Sequence, residues 1–106
     1  MTVRADLDSL RTLLGAQSTA DDAVLAMCLE TAGAFVYDRV SSANIHRNET
    51  QHAVLLLASR LYKRRQSPEG VAGWEEMGVV RIVARDPDIE RLLEQVLDVY
   101  KVYGIA

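Results

Sequence analysis

The feature that most constrains the fold is residues 49–65, where the run AVLLLA at 53–58 leaves the middle of a helical pattern with almost no polar side. Such a helix is stable only where neighbours cover it on more than one side. The stretch is therefore expected to be the central helix of a small helical domain. Its last turns carry Arg60, Lys63, Arg64 and Arg65, cations placed at the negative end of the helix dipole.

Three further segments carry helical signatures. Residues 6–14 place Leu7, Leu10 and Leu14 at i, i+3 and i+7, with Gly15 as a stop. From about 19 to 40, Leu25, Cys28, Leu29, Ala32, Phe35, Val36 and Val40 follow the helical period. Ser18 or Thr19 is the expected cap there, and Asp21 and Asp22 stand near the positive end of the dipole. After a polar loop over 41–48, Asn48 is expected to open the central helix. The last helix has the sharpest start: Asp86 as N-cap, Pro87 at the first helical position, then Asp88 and Glu90. Its stripe runs through Ile89, Leu92, Leu93, Val96, Leu97, Tyr100 and Tyr103, with Gly104 as C-cap.

Between the third and last helices, Ser67, Pro68, Gly70, Gly73 and Gly78 describe a loop. Residues 79–85 alternate Val80, Ile82 and Ala84 against Arg81, Val83 and Arg85, which reads as a strand. A lone strand leaves backbone groups unpaired. Its expected partner is 71–74, in a short hairpin, or a neighbouring subunit. The expected fold is all-α, a small four-helix domain with a protruding Gly-rich loop or short β-hairpin.

At 106 residues, 49% hydrophobic and 25% charged, the chain fits one domain over 1–106. No run reaches the length of a membrane span and the start lacks the build of a signal peptide, so the whole chain is expected to be intracellular and soluble. The single cysteine, Cys28, excludes an intrachain disulfide and falls on an apolar stripe, where it serves as a small hydrophobe. A net charge of −3 and a pI near 5.3 argue against broad nucleic-acid binding.

Catalytic groupings are thin. His46 and His52 are six apart, outside the i, i+3 or i, i+4 spacing of a helical metal pair, and read as surface histidines. Glu75 and Glu76 diverge on an extended backbone, while Asp86 and Asp88 serve the helix start. Gly70, Gly73 and Gly78 are not followed by the Lys-Ser/Thr of a phosphate-binding loop. No catalytic, cofactor-binding or metal residue is expected, and the chain is not expected to be an enzyme.

What remains is surface. The segment 60–65 carries +4 and the segment from Asp86 onward carries five acids and two bases. These opposite patches either pair within one molecule or favour head-to-tail contact between copies, which closes into a ring if the rotation permits. Trp74, in the Gly-rich loop, packs either on the domain or under a partner. The apolar stripe carried to Ile105 either covers the core or docks on another protein.

The stretch AVLLLASRLYKRRQSPEGVAGWEEMGVVRIVARDPDIERLL resembles the head-tail connector, or head completion adaptor, family of long-tailed double-stranded DNA phages and prophages. The likeness is strongest over 53–93, in LYKRR, SPEGVAG and DPDIERLL, and looser over 6–40. It implies a structural virion protein of the neck between capsid and tail, present in the host cytoplasm during assembly. Such proteins form a ring, commonly dodecameric, beneath the portal, extending the DNA channel and providing the platform for stopper and tail attachment.

The implied partners are the portal protein, a stopper or tail-completion protein, further copies of the chain, and packaged DNA passing through without sequence-specific binding; no membrane and no cofactor are implied. The subunit-interface candidates are Arg60, Lys63, Arg64, Arg65, Trp74, Glu75, Glu76, Arg81 and Arg85. The C-terminal helix and tail over about 87–106 would reach the portal, with Leu97, Val99, Tyr100, Val102, Tyr103 and Ile105 as docking candidates. The chain runs 13 residues past Leu93, beyond the family's pattern, which fits a longer docking helix. The alternative is a small helical nucleic-acid-binding regulator using the basic cluster at 60–65.

Overall fold

The computed structural model describes residues 2–15, 22–64 and 76–96. Those residues are all-α: α1 (Leu7–Leu14), α2 (Asp22–Arg39), a single 3-10 turn (Ser42–Asn44), α3 (Asn48–Arg64), α4 (Glu76–Ala84) and α5 (Pro87–Glu94). The ends of α1 follow from local chemistry. Asp6 Oδ1 accepts from the Ser9 amide at 2.8 Å, satisfying one of the amides that a helix start leaves open. Gly15 closes the helix at φ +69°, a backbone state that costs a residue with a Cβ about 1 kcal/mol or more.

As the dense apolar pattern of α3 requires, α1, α2 and α5 all pack against it. Its buried residues Ala53, Val54, Leu55, Leu57, Ala58 and Leu61 occupy most of its circumference. They meet Leu10 of α1, Leu25, Cys28, Ala32 and Val36 of α2, and Ile89 and Leu93 of α5 in one core cluster. Each buried leucine or isoleucine stabilises the fold by roughly 1.5–3 kcal/mol relative to exposure. Thr50, the polar residue on this buried surface nearest the start of α3, donates from Oγ1 to the Asn44 carbonyl at 2.6 Å, which offsets the cost of burying a hydroxyl.

Gln51 joins three segments to α3. Its Oε1 accepts from the Ala5 amide at 2.9 Å, while Nε2 donates to the Ile45 carbonyl at 2.8 Å and to Tyr37 Oη at 3.0 Å. Asn48 Oδ1 accepts from the Val3 amide at 2.9 Å. The extended chain before α1 is thereby tied to the first turns of α3.

The expectation of a strand over 79–85 is corrected: these residues lie in α4 and the turn after it. The described residues thus hold five α-helices rather than four, and no β-strand. The second arm of the expected hairpin is helical, while its first arm, 71–74, lies outside the described residues. The reason is visible in the burial pattern. Val79, Ile82 and Val83 are buried and Arg81, Ala84 and Arg85 are exposed, which is spacing i, i+3, i+4 rather than alternation. A short run rich in Val and Ile fits either period when read alone. The bundle supplies an apolar core for a helical stripe to join and, among the described residues, no strand for an edge to pair with.

The start of α5 is as expected. Asp86 Oδ1 accepts from the Ile89 amide at 3.3 Å and Pro87 opens the helix. The expected continuation of the stripe through Tyr103 to a cap at Gly104 lies outside the described residues, as do the cap expected at Ser18 or Thr19 and Asp21.

Candidate functional site

The basic end of α3 and the start of α5 meet through one contact. Arg60 Nε donates to Asp86 Oδ2 at 2.7 Å, and Arg60 Nη2 stands 4.0 Å from Asp88 Oδ2. The Asp86 side chain is only 11% exposed. Burial pushes its pKa upward, but the Arg60 hydrogen bond, the Ile89 amide and the Arg60 charge outweigh burial and hold it below the usual carboxylate value. For Arg60, of the two alternatives open in the sequence, the structure shows pairing within the chain.

The neighbours of this clasp are free to face outward. Lys63 and Arg64, in the last turn of α3, are exposed, and Arg64 lies one turn beyond Arg60 on the same side of the helix. Arg81 and Arg85 are exposed and share a face of α4 and its end, but Val83, expected on that face, is buried at 8% exposure. Glu76 opens α4. Arg65, Trp74 and Glu75 lie outside the described residues, as do all six docking candidates, Leu97, Val99, Tyr100, Val102, Tyr103 and Ile105.

Shallow grooves lined by described residues indent the surface. One of about 450 Å³ runs between α2 and α4, lined by Glu30, Thr31, Ala34, Phe35, Asp38, Arg39 and Val79. Arg39 closes one side of it, with its guanidinium 3.6 Å from the Phe35 ring centre and Nη1 donating to the Phe35 carbonyl at 3.0 Å. Two more, of about 440 and 360 Å³, flank α3 and share His52. One of them also holds Asp8, Ser9 and Thr12. Thr12 Oγ1 donates to the Asp8 carbonyl at 3.0 Å, and His52 makes no hydrogen bond to these side chains among the described residues, so no nucleophile and base are joined there. Both histidines are exposed and Cys28 is buried. No group of three or more metal-ligating side chains gathers among the described residues, and no described helix is long and apolar enough to cross a membrane.

Two structural devices had no counterpart in the sequence reading. Arg11 grips Asp22 with both ends of its guanidinium fork, Nε to Oδ1 at 3.0 Å and Nη2 to Oδ2, and its Nη1 reaches Asp8 at 3.2 Å; the pair joins α1 to the first turn of α2. At the far end of α5, Arg47 Nη1 donates to the Gln95 carbonyl and Asn44 Nδ2 to the Val96 carbonyl, both at 3.3 Å. Arg47 Nη2 also sits 2.8 Å from the buried Glu49 Oε2, an oxygen with no aligned donor, so that contact is one of charge alone. The available signal was a cation beside a helix terminus, too common to single out.

Compared with protein-family models, with curated proteins and with solved structures, the chain matches none.

Proposed function

We propose that this chain is a structural virion protein, a head-to-tail adaptor that joins further copies of itself in a ring under the portal, extends the DNA channel and carries the stopper and tail. The observation that supports the reading most is the Arg60–Asp86 contact. It joins Arg60, the residue immediately before LYKRR, to Asp86, the first residue of DPDIERLL, so two of the three segments that carry the connector resemblance meet at this contact. Around that joint most of the exposed side chains are charged, and among the described residues the grooves nearby hold no joined catalytic groups. That composition suits contacts between proteins.

In this reading the face around Lys63, Arg64, Arg81 and Arg85 meets a neighbouring subunit, and the segment 97–106 reaches the portal. The test is electron microscopy of portal rings, encoded in the same genome, mixed with this chain. An added ring beneath the portal is expected, and portal rings that stay bare overturn the proposal. A chain lacking 99–106 should keep its helical circular-dichroism signal and lose portal binding; undiminished binding removes the docking role of that segment.

The exposure of Lys63, Arg64, Arg81 and Arg85 also favours a second reading, a nucleic-acid-binding regulator. That reading requires DNA affinity which falls steeply with salt and weakens with Lys63→Ala and Arg64→Ala.

A further inference from the structure

The helical course of Glu76–Ala84 places two charge pairs of opposite sign on neighbouring elements. Arg81 and Arg85 are one turn apart on the exposed side of α4 and its end, and Glu90 and Glu94 are one turn apart on the exposed side of α5. Glu90 and Glu94 span about 6 Å along the α5 axis, and Arg81 and Arg85 are likewise four residues apart, Arg85 standing in the turn that ends α4. The helices are joined by a corner of two residues, Arg85 and Asp86.

Charges near this corner do find partners when geometry allows, as Arg60 does with Asp86 and Asp88. Arg81, Arg85, Glu90 and Glu94 form no ion pair or side-chain hydrogen bond among the described residues, and all four are exposed. Among the described residues, the chain thus presents two unpaired cations and two unpaired anions, each pair four residues apart, on neighbouring elements that do not neutralise each other.

From this we infer that the α4 face bearing Arg81 and Arg85 docks on the α5 face bearing Glu90 and Glu94 of a second copy of this chain, as a two-rung charge ladder. The inference rests on the self-assembly proposed above and names the surfaces that meet. Because the two faces differ, the contact is head-to-tail: a joined pair keeps one free α4 face and one free α5 face, so further copies can add until the ring closes. The matching four-residue separation lets both rungs form at once and penalises a slip by one turn, since a slipped register leaves one charge of each sign unpaired. The ladder acts on orientation and register, and being exposed it weakens as salt rises.

Charge reversal tests this directly. Sedimentation velocity of the full chain at low ionic strength should show concentration-dependent association that declines with added salt. The pair Arg81→Glu with Arg85→Glu should abolish it, and so should Glu90→Arg with Glu94→Arg, because each leaves both faces of one sign. Mixing these two variants should restore association, as should a single chain carrying all four changes. Wild-type chain that sediments as one species at every concentration, or reversed variants that associate as well as wild type, overturns the ladder. Portal binding is scored separately by electron microscopy. A chain that associates through the ladder but leaves the portal bare overturns the adaptor reading alone, whereas portal rings that form normally with the reversed variants overturn the ladder alone.

Discussion

Arg60 Nε lies 2.7 Å from Asp86 Oδ2, so the basic end of the central helix is joined to the corner where α4 turns into α5. Asp86 also accepts from the Ile89 amide; one carboxylate therefore both caps a helix and fixes that helix against α3.

Removing that carboxylate affects both roles. Asp86→Ala is expected to destabilise the fold by about 2–3 kcal/mol, combining a lost cap with a lost charge-assisted hydrogen bond. Asp86→Asn keeps the capping oxygen and should cost about 1 kcal/mol. Urea unfolding of both variants, alone and with Arg60→Met, checks this: the cost of Asp86→Asn should largely vanish in the Arg60→Met background, since the pair is then already broken.

The same carboxylate sets a response to acid. The folded-state pKa of Asp86 lies below its ordinary value of 3.8, so in the interval between the two values the folded chain binds fewer protons than the unfolded one. Its contribution is full above about pH 4 and is lost as pH falls through the folded value. Asp6, whose pKa is lowered by hydrogen bonds from the Ser9 amide and hydroxyl, acts with the same sign but more weakly because it is exposed. Melting temperature should fall below pH 4, and less steeply for Asp86→Asn. An equal slope in the variant contradicts this assignment.

The helical nature of α4 predicts an asymmetry between neighbours. Val83→Ala, at a buried position, should cost about 2 kcal/mol through lost burial and the cavity left behind. Arg81→Ala and Arg85→Ala, both exposed, should change stability by less than about 0.5 kcal/mol. Chemical denaturation that finds Val83→Ala neutral is evidence against this packing.

Arg11 and Asp22 form a half-buried, two-toothed pair between α1 and α2. Arg11→Ala is expected to cost about 1 kcal/mol. Arg11→Lys should recover only part of that, because an ammonium cannot reproduce the planar fork. A full recovery by lysine, measured as the unfolding midpoint in urea, places the effect in charge rather than geometry.

Much of this architecture is legible in local sequence. Asp6 with Gly15, and Asp86 with Pro87, mark α1 and the start of α5 because caps act on amides and carbonyls within a few residues of themselves. The unbroken apolar middle of α3 required a helix covered from several sides, and α1, α2 and α5 cover it. The candidate site was legible only in part. Arg81 and Arg85 were singled out as subunit-interface candidates on one face of an expected strand, whereas Glu90 was seen only as charge at a helix start and Glu94 only as one of the five acids from Asp86 onward.

Two things were decided by tertiary structure. The run at 79–85 took the helical period because a short stretch of Val and Ile carries no decisive period of its own, and the choice falls to the surface it packs on. Among the charges, the sequence distinguished a basic segment from an acidic one but not which members pair. Coulomb energies fall with distance and with solvent exposure, so pairing depends on which helices lie side by side. The bundle brought Arg60 to Asp86 and left Arg81, Arg85, Glu90 and Glu94 facing outward.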